Sequence, residues 1–136
     1  MDSLLKLQRV AIVLLVLAVV KLCGCGPKPA GPIRHEASGR VIFSGTPVSA
    51  GVIFFNPKAA EYGGGTAPIT DGRYDTRERG GRGHLGGLHT IRIVAEPPDD
   101  WDGGDFQPPF PPYEVEQELP MVSGVLNYEV PGGKKK

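Results

Sequence analysis

Residues 66–76 read TAPITDGRYDT. Asp71-Gly72 at the centre is a two-residue hairpin signal, because a tight turn matching the twist of its flanking strands needs both central residues at positive φ. Ala67 and Ile69 alternate with polar residues before the turn, and Tyr74 takes an inward position after it. The stretch therefore predicts a short strand over Thr66–Thr70 and its partner over Arg73–Thr76. The same period recurs on either side. LHTIRIVA, residues 88–95, puts His89, Ile91 and Ile93 on one face and Thr90 and Arg92 on the other. VIFF, residues 52–55, is continuously apolar, as for a central strand, and Asn56-Pro57 closes it because proline cannot donate to a ladder. EASGRVIF, residues 36–43, alternates Ala37, Gly39, Val41 and Phe43 with Ser38, Arg40 and Ile42, and runs into a Ser44-Gly45-Thr46-Pro47 turn. VLNYEV, residues 125–130, places Leu126, Tyr128 and Val130 on one face and stops at Pro131-Gly132-Gly133.

Between these strands lie most of the 20 glycines and 14 prolines, together a quarter of the chain, which act here as turn punctuation. RGGRGHLGG, residues 79–87, is a flexible connection, and residues 96–113 form a long loop rich in Pro and Asp. No segment after Cys25 carries a helical period of adequate length. Short strands at ~10-residue spacing predict an all-β fold, a small antiparallel sandwich of about seven strands.

The front of the chain is of another kind. Val10–Val20, VAIVLLVLAVV, is an unbroken apolar run of eleven behind Lys6 and Arg9. That is the length of a signal-peptide core and well short of the ~20 residues that span a bilayer as a helix. Leu22-Cys23-Gly24-Cys25 follows and resembles the lipobox of bacterial lipoproteins. The resemblance implies that Leu22 and Gly24 are the recognition positions, that Cys25 accepts a diacylglyceryl group on its thiol, and that cleavage falls after Gly24. Several acyl chains hold a protein on a membrane where one does not. Gly26 after the acceptor, rather than Asp, favours outer-membrane sorting by the usual rule of that family. An uncleaved anchor helix, or a redox or metal role for the Cys23/Cys25 pair, is the competing reading. Two thiolates are too few for a zinc site.

The motif order after the lipobox resembles the carboxypeptidase regulatory-like domains, transthyretin-like β-sandwiches carried by many small bacterial lipoproteins. Ala37-Ser38-Gly39-Arg40-Val41 and Gly45-Thr46-Pro47-Val48 match the opening strand and turn of that family, and Phe55-Asn56-Pro57 matches the end of its next strand. Thr70-Asp71-Gly72-Arg73-Tyr74 is one residue shorter than the family's hairpin, and Gly87 to Ile93 matches its long strand, with His89 where the family prefers Tyr. The resemblance covers residues 36–133 and implies an accessory domain without catalytic residues or cofactor. The expected organisation is a signal peptide over 1–24, a flexible tether over 25–35, the sandwich over 36–133 and a basic tail over 134–136.

The chain has 15 basic and 15 acidic residues. Removing residues 1–24 takes away Lys6, Arg9 and Lys21 against Asp2, leaving 12 and 14. That balance argues against a nucleic-acid binder. The expected partners are the membrane, through Cys25, and an envelope protein or glycan. Trp101, Phe106, Phe110 and Tyr113 alternate with prolines and are the candidate ligand-binding residues; they stack on a partner or fold down to cap the sandwich. His84 and His89 with Glu96 could form a metal-dependent hydrolytic site, but His89 falls on an inward face and His84 on the other side of an extended chain, so no metal is expected. His35 is expected in solvent. Asp99, Asp100, Asp102 and Asp105 fail the EF-hand pattern, with Gly104 and Pro111 at ligand positions. Residues 96–118 hold eight acidic and no basic residues, while Arg73, Arg77, Arg79 and Arg82 cluster elsewhere, so the acidic loop is expected to fold across the basic one. No nucleophile elbow surrounds any serine.

Overall fold

The computed structural model describes residues 1–20, 26, 31–59 and 61–133, and the chain divides into two units, Met1–Gly31 and Pro32–Lys136. In the first, a single helix, α1, runs from Asp2 to Val20. No Gly or Pro interrupts it, and Asp2 sits in its first turn, where a negative charge meets the positive end of the helix dipole. Leu4, Leu5, Leu7, Val10 and Ile12 are all exposed. Among the described residues no helix is long and apolar enough to cross a membrane.

The second unit is all β. Its strands are β1 (Ala37–Phe43), β2 (Thr46–Pro47), β3 (Ala50–Pro57), β4 (Gly65–Thr70), β5 (Arg73–Asp75), β6 (Gly87–Ala95), β7 (Tyr113–Leu119), β8 (Gly124–Val125) and β9 (Tyr128–Val130). They pair in the order β2-β1-β5-β4-β3-β6-β7, antiparallel throughout. Both predicted turns form: Ser44-Gly45 joins β1 to β2, and Asp71-Gly72 joins β4 to β5 with φ of 51° and 72°. The β4–β5 ladder ends at Ile69, one residue before Pro68, which has no N–H to give. The two longest pairings both use β6: with β3 from Gly51↔Ala95 to Pro57↔His89, and with β7 from Gly87↔Leu119 to Ile93↔Tyr113.

Two features go beyond the sequence reading. Tyr113–Leu119, YEVEQEL, is an edge strand, with Tyr113, Val115, Gln117 and Leu119 turned inward and the three glutamates outward. In addition, β8 and β9 run parallel to β1, on Ala37–Ser38 and Val41–Phe43 respectively. β1 thus serves two sheet segments, one at each of its ends.

The link from β7 to β8 is four residues, Pro120–Ser123. On a flat sheet β8 would lie six strand spacings from β7, about 29 Å, whereas five extended steps reach only about 18 Å. The sheet must therefore curl, and the fold is sandwich-like. Its enclosed side holds Val41, Ile53, Phe55, Ala67, Ile91 and Ile93, all without solvent exposure. Full burial of the valine, isoleucine and phenylalanine side chains contributes about 1.5–3 kcal/mol each.

Candidate functional site

Leu22, Gly24 and Cys25, expected to form a lipobox, lie outside the described residues. The four candidate aromatics divide into two pairs. Phe110 is buried and packs on Phe43 with ring centroids 5.0 Å apart, while Tyr113 opens β7 and packs partly buried against the core. This pair closes one end of the sandwich, joining the loop after β6 to the end of β1. Trp101 and Phe106 form a second pair, edge to face at 5.6 Å, and Trp101 remains 42% exposed.

Local hydrogen bonds hold the Trp101 turn. The Trp101 indole N–H donates to the Gly104 carbonyl at 2.8 Å, its backbone N–H donates to the Pro98 carbonyl at 2.9 Å, and Gly104 N–H donates to Asp102 Oδ1 at 3.1 Å. The indole face is thus presented on a braced turn, and the Asp102 carboxylate serves that turn. Asp99, Asp100, Asp102 and Asp105 are all exposed. The acidic segment does not reach the arginine cluster among the described residues. Glu114 pairs with Arg92 on the adjacent strand β6, Glu116 with Lys58 just beyond the end of β3, and Arg77 with Asp75. Short-range partners across the ladder prevail over a long-range docking that exposed charges support only weakly.

The histidines also depart from the sequence reading. The chain reverses at Gly86-Gly87, both at positive φ, and this brings the His84 and His89 rings together, edge to face at 5.9 Å and fully buried. His35 is not free in solvent. It exchanges backbone hydrogen bonds with His84 at 2.8 and 3.0 Å, and its ring lies 5.7 Å from that of His84. Arg34 anchors the same segment by donating to the carbonyls of Gly83 and Gly63, both at 2.8 Å. An extended chain would put His84 and His89 on opposite faces; the fold-back at Gly86-Gly87 puts them on one.

The backbone sets the tautomers. Gly86 N–H donates to His84 Nδ1 at 3.0 Å, so the His84 proton is on Nε2. His89 Nδ1 faces the Gly87 carbonyl at 2.9 Å and must donate to it, which leaves a lone pair on its Nε2. Burial lowers the His84 pKa to about 4, and the neighbouring His89 and His35 add to the shift against a smaller opposing effect of Glu36. A metal at His84 would have to displace the Nε2 proton while Nδ1 is already accepting. Glu96, just past the end of β6, lies seven residues from His89, about 23 Å along an extended strand, so the alternative trio of His84, His89 and Glu96 does not assemble.

Around the pair, Phe55 contacts His84, Tyr74 and Tyr128 at centroid distances of 5.9, 6.0 and 6.5 Å. Burial raises the phenol pKa of both tyrosines. Tyr74 donates to the Leu126 carbonyl at 2.6 Å. Thr76 Oγ1 accepts from Ala37 N–H at 3.0 Å and donates to the Glu36 carboxylate. The Tyr128 hydroxyl and the Nε2 atoms of both buried histidines have no hydrogen-bond partner among the described residues. The histidine–tyrosine cluster is sealed from solvent, whereas the Trp101 turn keeps its indole exposed. Comparison with family models, with curated proteins and with solved structures finds no match for this chain.

Proposed function

We propose that this chain is a lipid-anchored lipoprotein of the cell envelope, whose sandwich is a non-catalytic binding module of the carboxypeptidase regulatory-like type. The lipobox at Leu22–Cys25 behind an eleven-residue apolar run supports the anchor. The observation that carries the binding role is the Trp101 turn, an indole 42% exposed and braced through its own N–H. Aromatic faces held at low entropic cost suit stacking on a sugar ring or on a protein partner.

Two experiments test the two halves of this reading. Cys25→Ser is expected to accumulate as unprocessed, unlipidated precursor in cells, and normal cleavage with membrane retention overturns the anchor. The full-length protein in neutral detergent is expected to bind members of a glycan array, or to cross-link an envelope protein in intact cells. Trp101→Ala is expected to reduce that signal about tenfold or more, as for loss of an anchoring aromatic. An unchanged signal removes the Trp101 turn from the binding role. A glycan signal specifically favours the reading of the loop as a carbohydrate-binding module.

A further inference from the structure

A second feature lies on the outward side of β1 and β5, at the far end of the sheet order from β6 and β7. Arg40 and Arg73 stand directly opposite one another in the β1–β5 register, and both are exposed. Like charges placed so are destabilising. Among the described residues neither guanidinium has a carboxylate within 4.0 Å, and neither side chain makes a hydrogen bond. Both line a cleft of about 610 Å³ together with Ser38, Asp75, Glu78 and Asn127.

The cleft arises from the break between β8 and β9. There Leu126 N–H bonds the Ser38 carbonyl at 2.8 Å, and the Leu126 carbonyl turns across Gly39 to accept from Tyr74. A Cβ on Gly39 would lie 2.1 Å from that carbonyl oxygen, so the crossing requires glycine. Arg40 N–H then lacks a main-chain partner, and Asn127 Oδ1 accepts from it at 2.9 Å. That bond fixes the amide with its oxygen on the backbone and leaves the Nδ2 hydrogens uncommitted. Asp75 is engaged by Arg77 through Nε at 3.0 Å and Nη2 at 2.8 Å, which also holds its carboxyl below the usual range. Glu78 is the remaining carboxylate of the lining.

We propose that this cleft is a phosphate-binding site, in which Arg40, Arg73 and Asn127 Nδ2 donate to the oxygens of a phosphate group, free or esterified. Guanidinium forks match two oxygens of such a group, and an anion between them relieves the repulsion across the ladder. The site depends on neither the lipid anchor nor Trp101.

The test is titration of the full-length protein in neutral detergent at low ionic strength, followed by the arginine Nε–H resonances. The probes are inorganic phosphate, glycerol 3-phosphate and glucose 6-phosphate. Saturable binding is expected below about 20 mM, the range of a weak single-anion site. Tighter binding of glycerol 3-phosphate identifies a lipid headgroup as the source, tighter binding of glucose 6-phosphate a sugar phosphate, and equal binding phosphate alone. Arg40→Gln and Arg73→Gln are each expected to weaken binding about tenfold, and Glu78→Gln to tighten it. Both arginines are exposed, so these variants fold. Without anion, Arg40→Gln is expected to melt at or above the wild-type temperature, because it removes a like-charge contact; a purely structural arginine would lower it. Absence of saturation with all three probes, or binding that both arginine variants leave unchanged, overturns the proposal.

Discussion

The enclosed side of the sheet has two chemically different ends. Along β3 and β6 the inward pairs are Ile53↔Ile93 and Phe55↔Ile91, all fully buried, and nothing there can ionise. Where β6 begins, the same face continues into His89, His84 and Tyr128, equally sealed but carrying three polar atoms without hydrogen-bond partners among the described residues. Both ends of the enclosed side are buried, but the burial has a different energetic meaning in each. In the aliphatic end every atom contributes by leaving water. In the imidazole end the rings contribute packing, while each stranded polar atom subtracts from it.

The largest effect expected from breaking this contrast is in the aliphatic end. Ile53→Ala should cost about 2–5 kcal/mol, and by the same amount at pH 7.5 and pH 5, measured by urea denaturation. A loss that grows at the lower pH would show that the two ends are not independent.

Acid should act on the other end. The His84 pKa is about 4 in the folded protein and near 6.5 in an unfolded chain. Below the unfolded value the unfolded state binds a proton that the folded state refuses, so stability is full above about pH 6.5 and declines towards pH 4. The loss over that window is about 2–3 kcal/mol, since the ring is fully buried. Denaturation midpoints across the window check it, and His84→Phe should flatten the profile even though it removes the acceptor of Gly86 N–H. His35, His89 and Glu36 face the same ring, and a profile that stays steep in His84→Phe would remove His84 as the source of the acid sensitivity.

The smallest effect has the opposite sign to the first. Tyr128→Phe removes a buried hydroxyl that has no partner among the described residues and should leave stability unchanged or raise it by up to about 1 kcal/mol. Thermal melts of this variant beside Ile53→Ala place the two ends on one scale, and a clear loss would reveal a partner for the hydroxyl.

Much of the aliphatic end was legible in the residues. LHTIRIVA alternates without interruption, VIFF is bounded by proline, and Asp71-Gly72 can make few turns other than the one it makes. Tyr113–Leu119 carries the same period-two signal, but its inward set includes Gln117 and its outward set is three glutamates, so it reads as part of an acidic loop. The imidazole end was illegible for a different reason. Its members come from residues 35, 84, 89 and 128, and only the reversal at Gly86-Gly87 and the bridge from His35 bring the three histidines together.

The candidate binding residues divide in the same way. Their chemistry was readable: four aromatics on a Pro-stiffened loop. Which two close the sandwich and which two face outward was not. Phe110 is drawn down by Phe43, a residue 67 positions earlier, while Trp101 is held out by a turn of its own. The opposition of Arg40 and Arg73 likewise depends on a register that no local pattern specifies.

By itself the sequence determined the class of each segment: an apolar run at the front, then alternating strands, turn residues and a β-rich domain. These follow from local sterics and from a period that a strand imposes on itself. Tertiary structure alone decided the curl of the sheet, the parallel return of β8 and β9, the sealed histidines and the outward Trp101. Each of these depends on contacts between distant residues, and above all on a four-residue link too short to let the sheet lie flat.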